Sequence, residues 1–357
     1  MLIIILRYIF TSKFFSKFYI QNLPLGKWVK MNIYLLARKI IQAIVLAVLM
    51  AVIVYVVYRL MPGNPAELFL FGAKHYGATP AQMNALLSEL GLSGGKWNLM
   101  NFLIYMKDMF TFNFGYDYIR GEPVWEIINY AMPYTLLLLG TALALSFIIG
   151  IPLGIVTSWV RGKKSEAFSI TISLILNSIP FFILGVILYI YLVSFYHIFP
   201  VTSGFSTYYL YHFSWPNFEF VLYKMALPLI TLVVIEAAAH VLTMRAAMVS
   251  TLGEDYILTA RAKGVSEAGI MFRHAARNAM IPVTTRMALE FAGLTGGAVI
   301  VEILFSWPGI GHILYYATLM EDYALSEGAL FLISLITIIA YVLIDYIHAW
   351  LDPRIRV

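Results

Sequence analysis

Long apolar runs, closed off by basic residues at alternating ends, constrain this chain more than any other feature. Predominantly apolar runs of roughly 18 residues or more read as membrane-spanning helices. Six segments fit: residues 40–58, 133–160, 168–196, 227–250, 281–305 and 329–350. A β-barrel would alternate polar and apolar residues over short strands, and that pattern is absent. The reading is an all-α polytopic membrane protein with six transmembrane helices. Composition agrees. The chain is 61% hydrophobic and only 12% charged, against roughly 25% charged in an ordinary soluble domain.

Orientation follows from the short connections. Arg161, Lys163 and Lys164 lie between spans two and three; Arg261, Lys263, Arg273 and Arg277 between spans four and five; Arg354 and Arg356 after span six. Basic residues in short loops mark the cytoplasmic side. Both termini then fall in the cytoplasm. The opposite connection, residues 306–328, carries Glu321, Asp322 and Glu327 but no Lys or Arg. The expected location is the cell membrane, multi-pass. The net charge of +5 forms no basic patch with interleaved aromatics, so nucleic acid is not an expected partner. The absence of cysteine excludes disulfides and thiolate chemistry.

Four regions are expected. Residues 1–31 read as an N-terminal extension, cytoplasmic or interfacial, with Met31 as an alternative start. Residues 32–60 hold the first span. Residues 61–131 form an extracytoplasmic helical segment. Thr79, Pro80 and Gln82 have the spacing of a helix start. Met83, Leu86, Leu87 and Leu90 then mark one face, and Gly91 ends it. A second helix is expected over residues 97–110, and Pro123 opens a third. These helices form a lid or scoop, or simply pack on the outer ends of the spans. Residues 132–357 make the core transmembrane domain. Within it, Gly150 and Gly154 have small-xxx-small spacing for close helix approach. Pro152 and Pro180 should kink their spans.

The loop at 251–280 is the most informative polar stretch. Glu254 and Asp255 begin a helix, where acids suit the N-terminal dipole. Thr259, Ala260, Arg261, Ala262 and Lys263 continue it, and Gly264 provides a left-handed stop. Ser266 and Glu267 begin the next helix, in which Ile270, Met271, His274 and Ala275 recur at helical spacing. The expectation is two short helices joined by a glycine corner. An ordinary positive-inside loop is the plain alternative.

TARAKG (259–264) followed by FRHAARNAMIP (272–282) resembles the EAA loop of importer-class ATP-binding-cassette permeases, and within them the dipeptide/oligopeptide subfamily. RLMPGNP (59–65), GIPLGI (150–155), SIPFFILG (178–185), GGAVIVEILFSWPGIG (296–311) and LDPRIR (351–356) carry the resemblance along the chain in order. One departure stands out. Leu258, Thr259 and Ala260 occupy the place of Glu-Ala-Ala, so Leu258 takes no acid's role.

The resemblance implies a transport subunit, not an enzyme. Its ATPase-coupling residues would be Glu254, Asp255, Thr259, Ala260, Arg261, Ala262, Lys263, Gly264, His274 and Arg277. Arg261 and Lys263 would pair with acids on a separate ATPase. The implied partners are a second permease subunit in a heterodimer, two ATPase subunits and an extracytoplasmic solute-binding protein, all within membrane lipid. ATP and magnesium would be bound by the ATPases; this chain would hold no cofactor or metal. Gly162, Lys163, Lys164 and Ser165 lack Walker A spacing. Oligopeptide is the first expectation for substrate, with oligosaccharide and nickel also in the subfamily.

Ionisable residues within spans mark candidate paths. Glu236 and His240 lie four apart in span four, and Glu290 lies in span five. They line the substrate path, pair across helices as a buried polar cluster, or relay protons. Asn177 and Ser178, beside Pro180, are further path candidates. Arg245, Arg286, Asp345 and His348 read as snorkelling groups near the headgroups. Glu302 is expected to hold an outer gate or a binding-protein docking surface. A proton-coupled secondary transporter using Glu236, His240 and Glu290 is the rival class, and a membrane-embedded enzyme the third.

Overall fold

Helices make up nearly all of the described chain, as lipid requires of backbone polar groups. The computed structural model describes residues 33–60, 79, 98–117, 119–200 and 214–351, without the side chains of 33–36, 281, 284–293 and 344–351. The chain divides into two units, Met1–Val45 and Leu46–Val357. Of the first, only the beginning of helix α1 (Ile33–Leu60) is described. The remaining elements are α2 (Leu99–Phe110), α3 (Val124–Trp159), α4 (Lys164–Ser178), α5 (Phe181–Leu188), α6 (Trp215–Thr251), α7 (Asp255–Ala262), α8 (Glu267–Gly269), α9 (Ala276–Leu304), α10 (Ile310–Leu319) and α11 (Tyr323–Leu351). Wider π-helical turns extend α5 over Tyr189–Phe195 and join α8 to α9 over Ile270–Ala275.

Among the described residues, four helices are long and apolar enough to cross a membrane, and a fifth span results if α4 and the α5 segment count as one. Such a helix is apolar on both sides, so exposure does not follow polarity. In α1, Leu49, Ile53 and Val57 are exposed on one face while Ala51, Val54, Tyr55 and Tyr58 are buried on the other. At 1.5 Å per residue, the 36 residues of α3 extend about 54 Å. That exceeds the roughly 30 Å hydrocarbon core.

Helix α3 acts as a spine for three apolar clusters. Its beginning packs Ile127, Ile128 and Ala131 with α1, α2, α10 and α11. Its middle packs Tyr134, Leu138 and Ala142 with α6, α9, Val193, Phe305 and Trp307. Its end packs Ile155 with Met244, Met248 and the 257–283 segment. Gly150 and Gly154 make the α3–α6 contact close. A Cβ on Gly150 would lie 2.6 Å from His240 Cβ and 2.7 Å from the Ala237 carbonyl oxygen; one on Gly154 would lie 2.7 Å from Met244 Cβ.

The structure departs from the sequence reading in several places. Residues 168–196 are not one straight span. Helices α4 and α5 meet at a 99° bend. Ile179 is extended, as a residue before proline prefers, and Pro180 then precedes α5. Pro152, by contrast, lies inside an uninterrupted α3. Pro123 does open a helix, but that helix is α3 itself, which runs through the expected boundary at 131. Helix α10 occupies part of the stretch read as a plain connection. The helix expected over 97–110 appears as α2, capped by the Asn98 side chain accepting from the Met100 amide at 2.9 Å. Among the segments named above, residues 1–31 and the helix expected after Thr79 lie outside the described residues.

Candidate functional site: the loop between α6 and α9

After α6 the chain turns at Gly253, whose amide donates to the Ser250 carbonyl at 3.1 Å. Glu254 stands at the extended N-cap position and Asp255 in the first turn of α7. Ile257 and Ala260 bury one face of α7 against Met244, Met248, Ile270 and Met271. The other face projects outward: Leu258 is 70% exposed, and Tyr256, Thr259, Arg261, Ala262 and Lys263 are exposed with it. An eight-residue helix is too short to be stable alone. It holds its shape through this buried seam.

The stop is a complete Schellman motif. Gly264 is left-handed at φ +76°. Its amide donates to the Arg261 carbonyl at 2.9 Å, and the Val265 amide reaches back to Ala260 at 3.2 Å. Val265 packs against the same apolar cluster as Ala260. Ser266 then caps α8, its hydroxyl accepting from the Gly269 amide at 3.3 Å. The first short helix and the glycine corner thus appear where the sequence placed them, whereas the second is no separate short helix: it runs on through the π-helical turns of Ile270–Ala275 into α9.

Other contacts fix the loop. Arg261 pairs with Glu267 across the corner at 3.2 Å, both side chains half exposed. An exposed pair contributes only about 0–1 kcal/mol, so it braces the corner while leaving Arg261 exchangeable. Asn278 donates to the Tyr256 hydroxyl at 2.7 Å, tying α9 to α7. Of the remaining expected coupling residues, His274 is half-buried and Arg277 exposed.

The path candidates separate. Glu236 and His240 are buried on α6. His240 Nε2 lies 3.3 Å from the Ser146 hydroxyl, and its ring centroid lies 4.3 Å from that of Phe147, the two rings tilted by 53°. His240 thus occupies the α3–α6 seam. The Glu290 side chain lies outside the described residues. Asn177 and Ser178 are exposed at the bend, the Ser178 hydroxyl donating to the Leu174 carbonyl at 2.7 Å. Among the described residues, no group of three or more His, Cys, Asp or Glu side chains is placed to hold a metal ion.

Glu302 is only 1% exposed, which leaves no carboxylate surface for a docking protein. It works inside instead. Its oxygens accept from Thr135 Oγ1 at 2.7 Å, the Gly311 amide at 2.8 Å and the His312 amide at 3.3 Å. Thr135 in turn accepts from the Ile310 amide at 2.8 Å. The Glu302 carboxylate therefore caps the start of α10 and binds it to α3. A Cβ on Gly309 would collide with it.

One cluster escaped the sequence reading. Arg245, read as a snorkelling group, donates to Glu166 Oε1 through Nη2 at 2.6 Å and Nε at 3.1 Å. The other Glu166 oxygen accepts from the Gly162 amide at 2.6 Å. The partners lie 79 positions apart, beyond any local pattern.

Known proteins resemble this chain along most of its length. Residues 150–357 match the family described as the binding-protein-dependent transport system inner membrane component. Residues 31–139 match the N-terminal region of the same transport-system membrane component. The dipeptide transport system permease protein DppB of Escherichia coli (strain K12) is 31% identical, covering 84% of this chain and 91% of that protein. The glutathione transport system permease protein GsiC of the same strain is 33% identical, covering 86% and 94%. The dipeptide transport system permease protein DppB of Alkalihalophilus pseudofirmus is 30% identical, covering 89% and 98%. The chain belongs to the binding-protein-dependent inner membrane component family, as a permease subunit of an ATP-binding-cassette importer.

Proposed function

We propose that the chain imports peptides, as one half of a permease heterodimer driven by two separate ATPase subunits and fed by an extracytoplasmic solute-binding protein. The names of the relatives, dipeptide and glutathione permeases, support short peptides as the substrate class. In this reading six spans cross the membrane, α9 supplying the fifth, with both termini cytoplasmic. Residues 61–131 lie outside, residues 132–357 form the core, and residues 1–31 are a cytoplasmic or interfacial extension.

The observation that carries the reading is α7 with its glycine stop. A device that receives a stroke must be short, stiff and firmly seated, and must offer a free face. The Ile257 and Ala260 seam gives the seat, the Schellman stop ends the helix abruptly, and Tyr256, Leu258 and Lys263 present the outer face. The 251–280 loop, including Glu254, Asp255, Thr259, Ala262, His274 and Arg277, is the coupling element. Leu258, exposed and apolar, sits where it would enter a groove on the ATPase. Asn177, Ser178, Glu236, His240 and Glu290 are assigned to the path and its supporting seam.

The test is uptake of a labelled dipeptide by cells carrying charge-reversed or stop-deleted loops. Arg261→Glu with Lys263→Glu, and Gly264→Val, should abolish ATP-dependent uptake while membrane insertion continues. Unchanged uptake in both would overturn the assignment of α7.

A further inference from the structure

We infer that Glu166 and Arg245 form the strut that passes the displacement of α7 into the bent α4–α5 segment. This rests on the coupling role of α7 proposed above. The chain runs from α6 through residues 252–254 into α7, and Met244 and Met248 of α6 share one buried apolar cluster with Ile257 and Ala260 of α7. A three-residue link and one shared apolar cluster thus tie the last two turns of α6 to the coupling helix, and in this reading they move as one body. Arg245 projects from that body.

Glu166 receives it at the first turn of α4. Two guanidinium hydrogen bonds to one carboxylate oxygen, at 2.6 and 3.1 Å, fix direction as well as distance. The second oxygen holds the Gly162 amide at 2.6 Å, and Gly162 is left-handed at φ +81°. One carboxylate thus joins the end of α6, the α3–α4 turn and the start of α4. Beside it, the Thr157 and Ser169 hydroxyls meet at 2.8 Å, linking α3 to α4 a turn further on.

The far end of α4 carries Asn177 and Ser178 and then the 99° bend at Pro180. A helix moved at its first turn displaces its other end, and a proline break is where such displacement changes an angle. Glu166 and Arg245 are positioning residues: they touch neither the solute nor ATP. Their role is to make bend geometry follow the position of α7.

The experiment uses the assembled transporter in proteoliposomes, measuring peptide imported per ATP hydrolysed. Glu166→Gln, Arg245→Gln and the double variant are compared, with Arg245→Lys as a milder change that keeps the charge. Each single Gln variant should retain its ATPase subunits and hydrolyse ATP at near-normal rate. Peptide per ATP should fall about tenfold, the scale expected for losing a hydrogen bond to a charged group. Arg245→Lys should fall between. The double variant should be no worse than either single one, since both remove the same link. An unchanged ratio overturns the strut, even if absolute rates fall together, and so does an additive loss in the double variant. Failure of the α7 assignment is distinguishable: Gly264→Val would then leave uptake intact, whatever the Glu166 variants do.

Discussion

Gly150 shows how much a single hydrogen atom matters in this protein. Its missing side chain leaves room for His240 Cβ and the Ala237 carbonyl, neither of which can retreat without moving α6. Gly140, on the same helix, has nothing within 4 Å of an added Cβ. We predict that Gly150→Ala destabilises the purified protein by about 1–3 kcal/mol, the usual cost of overpacking. Gly140→Ala should be neutral or slightly stabilising, because alanine suits a helix better. Thermal unfolding in detergent separates the two, and equal midpoints would contradict the close packing. The same scale governs the Glu302 cap. Thr135→Val removes a hydroxyl that gives one buried hydrogen bond and accepts another. It should cost about 1–3 kcal/mol and speed proteolysis between residues 306 and 311. Small-residue spacing made Gly150 and Gly154 legible in the sequence. The partner of Glu302 was not, because Thr135 lies 167 positions away. Its carboxylate consequently read as part of an outer gate or a docking surface.

Elements were legible where a local signal ends or begins them. The corner at Gly264 announced itself through a glycine after a helical run, followed by a capping serine. The prediction here concerns backbone alone, since an added Cβ on Gly264 meets nothing within 4 Å. A β-branched residue forced to φ +76° costs about 1–2 kcal/mol or more. Gly264→Asn should cost less, because asparagine tolerates that region. Peptide uptake should therefore rank unaltered protein, then Gly264→Asn, then Gly264→Val. Equal loss in both variants would mean that the stop is not what matters. The bend at Pro180 was only half legible. Proline signalled a kink, but apolar residues on both sides gave no measure of its size, so residues 168–196 read as one span. Helix α10 was hidden for a related reason: its N-terminus is satisfied by Glu302 and Thr135, not by a neighbouring capping residue.

At the scale of the whole molecule, the polytopic class was plain from hydropathy, because lipid leaves a chain few other options. Charge asymmetry between short loops supplied an orientation that the bundle itself does not reveal. The order of resemblance blocks supplied the family. What stayed hidden were the long-range ties, above all Glu166 with Arg245, whose partners no periodicity connects. In the proposed reading, α7 with the end of α6, the Glu166–Arg245 strut and the bent segment make a machine that receives motion from outside itself. The most direct test is uptake of a labelled dipeptide into proteoliposomes holding this chain, its permease partner and the binding protein, with and without the ATPase subunits. ATP-dependent uptake should appear only when the ATPases are present, and should vanish again with Gly264→Val. Uptake by the permeases without them, driven by a pH gradient, would contradict the account.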